Sequence, residues 1–198
     1  MYLLSAGQLI GMIALQLVLI FINAFFASTE IAVLQLSANK LRRQVEEGDK
    51  HAGRILKLVE EPSNFLSTIQ IGITLAGFLA SAFAADNFAG PLTQWVYYTL
   101  GFTFFSEATL NTIAIILITI ILSYFTLVLG ELVPKQVGLH TPYQVAKVTT
   151  VVIAVLAVIM KPIIKLLSAS TTGGLGRLGL PGPRGEEAVT EDEIRMMV

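Results

Sequence analysis

Two acidic residues, Glu30 and Glu131, lie inside long apolar stretches of this sequence, where a carboxylate can bind a cation. Ionisable groups within a membrane span are costly to place, and by default they indicate a function. The alternative is that each carboxylate lies at the inner end of a span and reaches the lipid headgroups. In that case Lys135, one turn from Glu131, would be its ion-pair partner.

The segment G-E-L-V-P-K places Gly130, Glu131 and Pro134 close together. Proline has no N–H, and its ring crowds the carbonyl of the residue four positions back, which here is Gly130. We therefore expect this carbonyl to lose its helical partner next to a carboxylate. A carbonyl beside a carboxylate is the beginning of an oxygen site for a hard cation. The alternative is a proline kink whose carbonyl is satisfied by Ser or Thr side chains.

Further side-chain oxygens lie at a similar depth in neighbouring apolar stretches. They are those of Asn23 and Ser28 in the first stretch and Asn64 and Gln70 in the second, where Ser63, Ser67, Gln70 and Thr74 recur at helical spacing. Such groups also link helices to one another, which is the alternative role for each of them. The chain has no cysteine, and neither histidine lies within an apolar stretch. Oxygen-only ligation favours Mg²⁺ or Ca²⁺ over Zn²⁺ or Cu, and Na⁺ is also compatible.

The composition indicates that membrane helices position these residues. Hydrophobic residues make up 54% of the 198 residues and charged residues 14%, whereas a soluble domain has roughly 25% charged residues. Three apolar stretches, at about 9–36, 65–85 and 112–133, reach the roughly 20 residues that a spanning helix needs. The sequence therefore predicts an all-α membrane protein with three transmembrane helices per chain. A net charge of −1 without a basic patch argues against nucleic-acid binding.

The distribution of Lys and Arg orients the predicted spans. Six of the thirteen lie within residues 40–57, and none lies within 61–134. By the positive-inside rule, 40–61 is then a cytoplasmic helix, and 86–111, which is rich in aromatic residues, is an external loop. This places the N-terminus outside and the C-terminus in the cytoplasm of a multi-pass protein of the cell (inner) membrane.

A fourth apolar stretch is shorter than the other three. Only thirteen residues separate Lys147 from Lys161. We therefore expect 143–167 to be a helix or broken helix in the inner leaflet, with a fourth crossing as the alternative. Residues 169–185 are rich in Gly and Pro and are typical of a linker. Thr190 begins the capping pattern T-E-D-E, from which we expect a cytoplasmic domain to follow.

Three motifs together resemble the DUF21 membrane domain of the CorC/CNNM (cyclin M) family. They are N-A-F-F-A-S-T-E-I-A at 23–32, P-S-N-F-L-S-T-I-Q-I-G-I-T at 62–74 and G-E-L-V-P-K at 130–135. They occur in the family's order and in its spans, and the resemblance covers about residues 5–170. The tail T-E-D-E-I-R-M-M-V is similar to the helix that leads into the family's paired CBS domains. Residues 171–198 would then be a linker and the start of that region.

This resemblance implies a Mg²⁺ transporter. It implies a homodimer with three spans per chain, a belt of juxtamembrane helices and an inward-facing acidic cavity that holds a dehydrated Mg²⁺. Carried to this chain, the implied ligands are Ser28, Asn64, the Gly130 carbonyl and Glu131, with Asn23, Glu30 and Gln70 as second choices and Pro134 as the helix breaker. The belt supports an inner-leaflet position for 143–167. ATP would bind only the CBS domains, outside residues 1–170.

From these arguments we expect a secondary transporter that exports Mg²⁺, with Na⁺ coupling as one source of driving force. The alternative is a Mg²⁺-sensing membrane scaffold that uses the same site to regulate another transporter. An intramembrane enzyme is disfavoured, because the sequence has no H-E-x-x-H, no G-x-S-x-G and no His/Ser pair at membrane depth. The expected partners are a second copy of the chain and the lipid bilayer, without nucleic acid.

Overall fold

A computed structural model describes residues 5–60 and 62–177, and these are helical apart from short connections. The helices are α1 (Ala6–Leu34), α2 (Ala38–Glu46), α3 (Lys50–Glu60), α4 (Pro62–Gln94), α5 (Glu107–Leu127), α6 (Val133–His140) and α7 (Pro142–Arg177). Two π-helical turns adjoin them, Trp95–Thr99 after α4 and Val128–Leu132 between α5 and α6. The all-α class predicted from the sequence is confirmed for these residues.

Four helical segments are long and apolar enough to cross a membrane, so the chain has the character of a multi-pass membrane protein. They are Ala6–Leu34, Asn64–Thr99, Glu107–His140 and Pro142–Leu175. A helix rises about 1.5 Å per residue, so each segment is longer than the roughly 30 Å hydrocarbon core of a bilayer. Most of their apolar surface is exposed, as a lipid-facing helix requires. The three predicted spans lie almost wholly within the first three segments.

Helix α1 contacts both α4 and the segment from the second π-helical turn through α6. It begins with a capping box, in which Ser5 Oγ accepts from the Gln8 N–H and Gln8 Oε1 accepts from the Ser5 N–H. Where it contacts α4, the ring of its Phe26 packs against Gly72. A Cβ at this glycine would lie 2.5–2.8 Å from three ring atoms, so only glycine allows the two helices to approach so closely.

Helices α2 and α3 form a helical hairpin where the sequence predicted one helix over 40–61. The chain turns at Gly48, whose φ of 94° lies in the left-handed region that glycine adopts without strain. Asp49 then precedes α3, and its Oδ1 accepts the backbone N–H groups of His51 and Ala52 at 2.7 and 3.3 Å. The single-helix prediction was wrong because this glycine and the capping aspartate end one helix and start another.

Apolar and polar contacts hold the hairpin in place. An apolar cluster includes the buried residues Leu41, Ile55, Phe65 and Ile153. On the surface, Arg42 of α2 pairs with Glu60 of α3 at 2.9 Å. The Tyr143 hydroxyl of α7 donates to Asp49 Oδ2. This hydrogen bond, followed by the one from the His51 N–H, holds the pKa of Asp49 below its ordinary value.

The predicted external loop over 86–111 is mostly helical. Helix α4 and its π-helical turn run to Thr99 and α5 begins at Glu107, so only residues 100–106 connect them. Pro91 is accommodated within α4. The loop was predicted too long because the scarcity of Lys and Arg indicates a side of the membrane and carries no information on where a helix ends.

Helix α7 is one unbroken helix, longer than the segment predicted at 143–167. It runs through Pro162 to Arg177, so residues 169–177 of the predicted linker are helical. The chain divides into a unit that ends at Ala157 and another that begins at Val158, and the site described below lies in the first. The remaining linker and the capping pattern at Thr190 lie outside the described residues.

Candidate metal centre

The segment around Pro134 forms a π-helical turn, Val128–Leu132, between α5 and α6. The Val133 N–H donates to the Val128 carbonyl five residues back, one residue further than in an α-helix. Pro134 lies in the first turn of α6, where a missing N–H is tolerated. Single π-helical turns of this kind are frequent at functional sites, because they redirect backbone groups locally.

The Gly130 carbonyl in this turn has a partner from another helix. Its oxygen accepts a hydrogen bond at 3.1 Å from Nδ2 of Asn23 on α1. The sequence argument expected a carbonyl deprived of its helical partner, and the partner observed is an amide and not a Ser or Thr hydroxyl. A carbonyl oxygen has two lone pairs and can therefore accept from Asn23 and from one further partner.

Asn23 itself presents an unused oxygen. The residue is 4% exposed, and its Oδ1 has no hydrogen-bond partner among the described residues. Buried polar atoms are nearly always paired, so an orphaned oxygen needs an explanation such as an ion or a water. The orphaned Oδ1 is therefore an available ligand atom on the side chain that holds the Gly130 carbonyl.

Glu30 and Glu131 both form ion pairs with the same lysine, Lys135. Lys135 Nζ lies 2.8 Å from Glu131 Oε1 and 3.5 Å from Glu30 Oε2. The three side chains are between 22% and 33% exposed, so the group is partly buried. The pairing of Lys135 with Glu131, which the alternative interpretation of Glu131 proposed from their spacing, is present, whereas Glu30 was not predicted as a second partner of this lysine. The three groups carry a formal net charge of −1.

Two glycines bring this segment against α1. A Cβ on Gly130 would lie 3.2 Å from Asn23 Nδ2 and 3.3 Å from the Ile20 carbonyl oxygen. A Cβ on Gly138 would lie 2.5 Å from the Ser28 carbonyl oxygen. The glycines therefore let the backbones of α1 and α6 nearly touch, and this close approach sets Asn23 beside Gly130 and Glu30 beside Lys135.

The other predicted ligands are placed less closely. Ser28 Oγ donates to the Phe25 carbonyl at 3.1 Å within α1, so the lone pairs of its hydroxyl are available. Asn64 and Gln70 lie on α4 and are exposed. Contacts among the described residues do not place either of these amides beside Glu131. The structure thus joins Asn23 to Gly130 and joins both Glu30 and Glu131 to Lys135, while no hydrogen bond among the described residues links the side chain of Asn64 or Gln70 to this group.

Gln16 is a buried polar residue that the sequence argument missed. It is 4% exposed, and neither atom of its amide has a hydrogen-bond partner within the described part of the chain. It lies seven residues before Asn23, as Asn23 lies seven before Glu30, so all three share one face of α1. That repeated spacing is the signal that would have found it.

The arrangement can bind a hard cation only if neutral oxygens contribute. Within residues 5–60 and 62–177, no three His, Cys, Asp or Glu side chains gather in a way that would hold a metal. Two carboxylates meet at Lys135, and an amide oxygen and a backbone carbonyl oxygen meet at Asn23, which lies about 10 Å from Glu30 along α1. Mg²⁺ and Ca²⁺ accept such mixed oxygen ligands.

Comparison with known proteins identifies a matching family model and several relatives of this chain. The family model described as the cyclin M transmembrane N-terminal domain (CNNM) matches residues 14–198. A UPF0053 protein of Synechocystis is 32% identical over 91% of this chain and 39% of its own length. A chloroplastic DUF21 domain-containing protein of Arabidopsis thaliana is 30% identical over 91% and 24%. The UPF0053 inner membrane protein YfjD of Escherichia coli is 26% identical over 80% and 33%. The chain thus spans less than half the length of these relatives.

Proposed function

The chain belongs to the CNNM family of cyclin M membrane domains, and on that premise we propose that it moves Mg²⁺ across a membrane as a secondary transporter. The observation that carries the proposal is the contact of α1 with the π-helical turn. There the orphaned Asn23 oxygen, the Gly130 carbonyl and the acidic pair all belong to two segments in contact. A transported ion is the occupant that these oxygens suit.

The proposed Mg²⁺ ligands are Ser28, Asn64, the Gly130 carbonyl and Glu131, with Asn23, Glu30 and Gln70 as second choices. The orphaned oxygen of Asn23 and its bond to Gly130 favour Asn23 as a ligand in its own right. Mg²⁺ requires six oxygens in a near-octahedral shell and loses its water reluctantly. Asn64 on α4 would supply a further amide oxygen to the shell.

The proposal includes the arrangement in the membrane. Three spans per chain, an external N-terminus and a cytoplasmic C-terminus would place Glu30 and Glu131 near the inner face. Helix α7 would lie in the inner leaflet as part of a belt, and two chains would form a homodimer. An ion that enters from the cytoplasm at this depth is exported when the helices reopen outward. The carboxylates balance its charge and the neutral oxygens replace its water.

Proteoliposomes test this function. We expect the purified chain to carry Mg²⁺ into vesicles loaded with a Mg²⁺-sensitive dye, and Glu131→Gln to reduce the flux to the background of empty vesicles. Glu46→Gln removes a carboxylate from the exposed surface of α2 and serves as the matched control with full flux.

Two outcomes would count against the proposal. Normal flux through folded Glu131→Gln removes Glu131 from the mechanism. Mg²⁺ binding without flux through the wild-type chain would favour the Mg²⁺-sensing scaffold. ATP regulation, which would need CBS domains, is outside this test.

A further inference from the structure

Lys135 holds both carboxylates of the candidate centre at once. Its Nζ is 2.8 Å from Glu131 within its own segment and 3.5 Å from Glu30 on α1. The lysine side chain is 31% exposed, so it is only partly buried while its ammonium group contacts the two acids. A positive charge therefore already lies where a bound cation would bridge the two acids.

This contact differs from an ordinary surface ion pair. Exposed pairs elsewhere in the chain join one base to one acid, as Arg43 and Glu47 do on α2, where the side chains are 81% and 63% exposed. Lys135 instead joins acids from two segments, and all three side chains are partly buried. Charges in such a place are screened less by water and salt, so the ammonium affects any competing cation strongly.

We infer that Lys135 is a tethered counter-ion that occupies the two carboxylates when no ion is bound and is displaced by a divalent cation, and that it thereby selects divalent over monovalent ions. The inference rests on the proposed function. A monovalent ion would only replace one unit of positive charge by another, and the ammonium competes at the high local concentration that its tether provides. A divalent ion brings one additional charge to the pair of acids.

Displacement is compatible with the local geometry. Lys135 follows Pro134 at the start of α6, and its side chain reaches the acids from the end of a flexible stem. The hydrogen bond between Asn23 and the Gly130 carbonyl does not involve the lysine. The ammonium can therefore turn toward solvent while the rest of the centre keeps its arrangement.

Cation binding to the purified chain in detergent tests this role. We expect Lys135→Met to bind Mg²⁺ at least about tenfold more tightly than the wild type, because the site loses its competing charge. We also expect Na⁺ to compete with Mg²⁺ in Lys135→Met and to compete little in the wild type. Lys135→Arg should keep the wild-type preference for Mg²⁺ over Na⁺, because it keeps the positive charge. Lys57→Met, which removes an exposed lysine from α3, is the control.

The outcomes separate this inference from the proposed function. If the wild type binds Mg²⁺ and Lys135→Met binds it no more tightly, the inference is overturned and the proposed function stands. If neither the wild type nor any variant binds Mg²⁺, the inference and the proposed function are both overturned. A merely structural lysine would lower the thermal stability of Lys135→Met without increasing its affinity for Mg²⁺.

A second measurement uses the wild-type chain and does not depend on the folding of a variant. Lysines are acylated with an amine-reactive reagent with and without Mg²⁺, and the modification of Lys135 is quantified by mass spectrometry relative to Lys57. Saturating Mg²⁺ should increase the modification of Lys135 several-fold, whereas Na⁺ should not. Unchanged or reduced modification in the presence of bound Mg²⁺ would overturn the inference.

Discussion

At the scale of one residue, the buried amide of Gln16 is expected to lower the stability of the fold. Its amide has no hydrogen-bond partner in the part of the chain that the structure describes, and the cavity beside it is lined by apolar residues such as Ile13, Leu17 and Phe88. Leaving such a group unpaired costs about 1–3 kcal/mol. We therefore expect Gln16→Leu to raise the free energy of unfolding by at least about 1 kcal/mol, measured by thermal unfolding in detergent.

The control for this variant is Gln94→Leu, since Gln94 is exposed at the end of α4. Its effect should stay within about 0.5 kcal/mol, as for most surface substitutions. A lower unfolding midpoint for Gln16→Leu would mean that the amide has a partner and stabilises α1.

Asp49 gives a prediction for the pH dependence of the α2–α3 hairpin. The hydrogen bonds from Tyr143 and from the His51 N–H lower its pKa in the folded chain, while the unfolded value is about 3.9. A lowered folded pKa means that the carboxylate stabilises the fold above about pH 4, and this stabilisation is lost as the pH falls through the lowered pKa. We expect the exchange protection of the His51 and Ala52 amides, corrected for intrinsic rates, to fall in that acidic range.

Two substitutions assign this acidic step. Asp49→Asn should remove it, because an amide does not titrate there. Tyr143→Phe should move it to higher pH, because the hydrogen bond that lowers the pKa most is lost. A step that keeps its position in Tyr143→Phe would show that the tyrosine does not stabilise the carboxylate.

At the scale of elements, Gly138 sets the contact between α1 and α6. A methyl group there would lie 2.5 Å from the Ser28 carbonyl oxygen, which belongs to the backbone and cannot turn away. We expect Gly138→Ala to destabilise the chain by about 1–3 kcal/mol, as overpacking does. It should also weaken Mg²⁺ binding, because Glu30 on α1 moves away from Glu131. Thermal unfolding and calorimetry measure the two effects.

Gly77→Ala is the matched control for this contact. Gly77 lies within α4, and nothing lies within 4 Å of the Cβ that alanine would add. Alanine is favoured over glycine inside a helix by about 1 kcal/mol, so this variant should be neutral or more stable. If Gly138→Ala and Gly77→Ala changed the stability equally, the close approach at Gly138 would not limit how α1 packs against α6.

We expect the π-helical turn to depend on Pro134, which follows it in the first turn of α6. Pro134→Ala restores an N–H that can donate to the Gly130 carbonyl four residues back, as in a regular α-helix. The carbonyl would then turn from Asn23 into the helix, and we expect Mg²⁺ affinity to fall about tenfold, the loss that a misplaced ligand commonly causes. Calorimetric titration measures it, with Pro91→Ala in α4 as the control. Unchanged affinity would show that the turn does not need the proline.

Local patterns predicted the parts of this fold that depend on nearby residues. The apolar stretches predicted the long helices. The four-residue spacing between Glu131 and Lys135 indicated that these two residues could form an ion pair. Contacts between distant residues were not accessible in this way. Asn23 and Gly130 are separated by 107 residues, and their contact depends on how α1 and α6 pack. The contact between Glu30 and Lys135 was not accessible either, because it depends on the close packing of Gly130 and Gly138 against α1.

At the scale of the whole molecule, the position of α7 decides how many times the chain crosses the membrane. Its length and hydropathy allow a fourth crossing, whereas the lysines at both ends of its apolar part favour the inner leaflet. If α7 lies in the inner leaflet, Lys147 and Lys165 both face the cytoplasm. If it crosses, the two lysines, 18 positions apart, are separated by about 27 Å along the helix and lie on opposite sides.

Single cysteines can distinguish these arrangements, because the chain has none of its own. We expect Thr103→Cys, in the connection before α5, to react with a membrane-impermeant maleimide added to intact cells. Lys147→Cys, Lys165→Cys and the α2 reference Glu46→Cys should react only after the membrane is permeabilised. Labelling of Lys165→Cys in intact cells would establish a fourth crossing. Labelling of Glu46→Cys there would reverse the whole orientation and place the acidic pair near the external face, where the same centre would serve uptake.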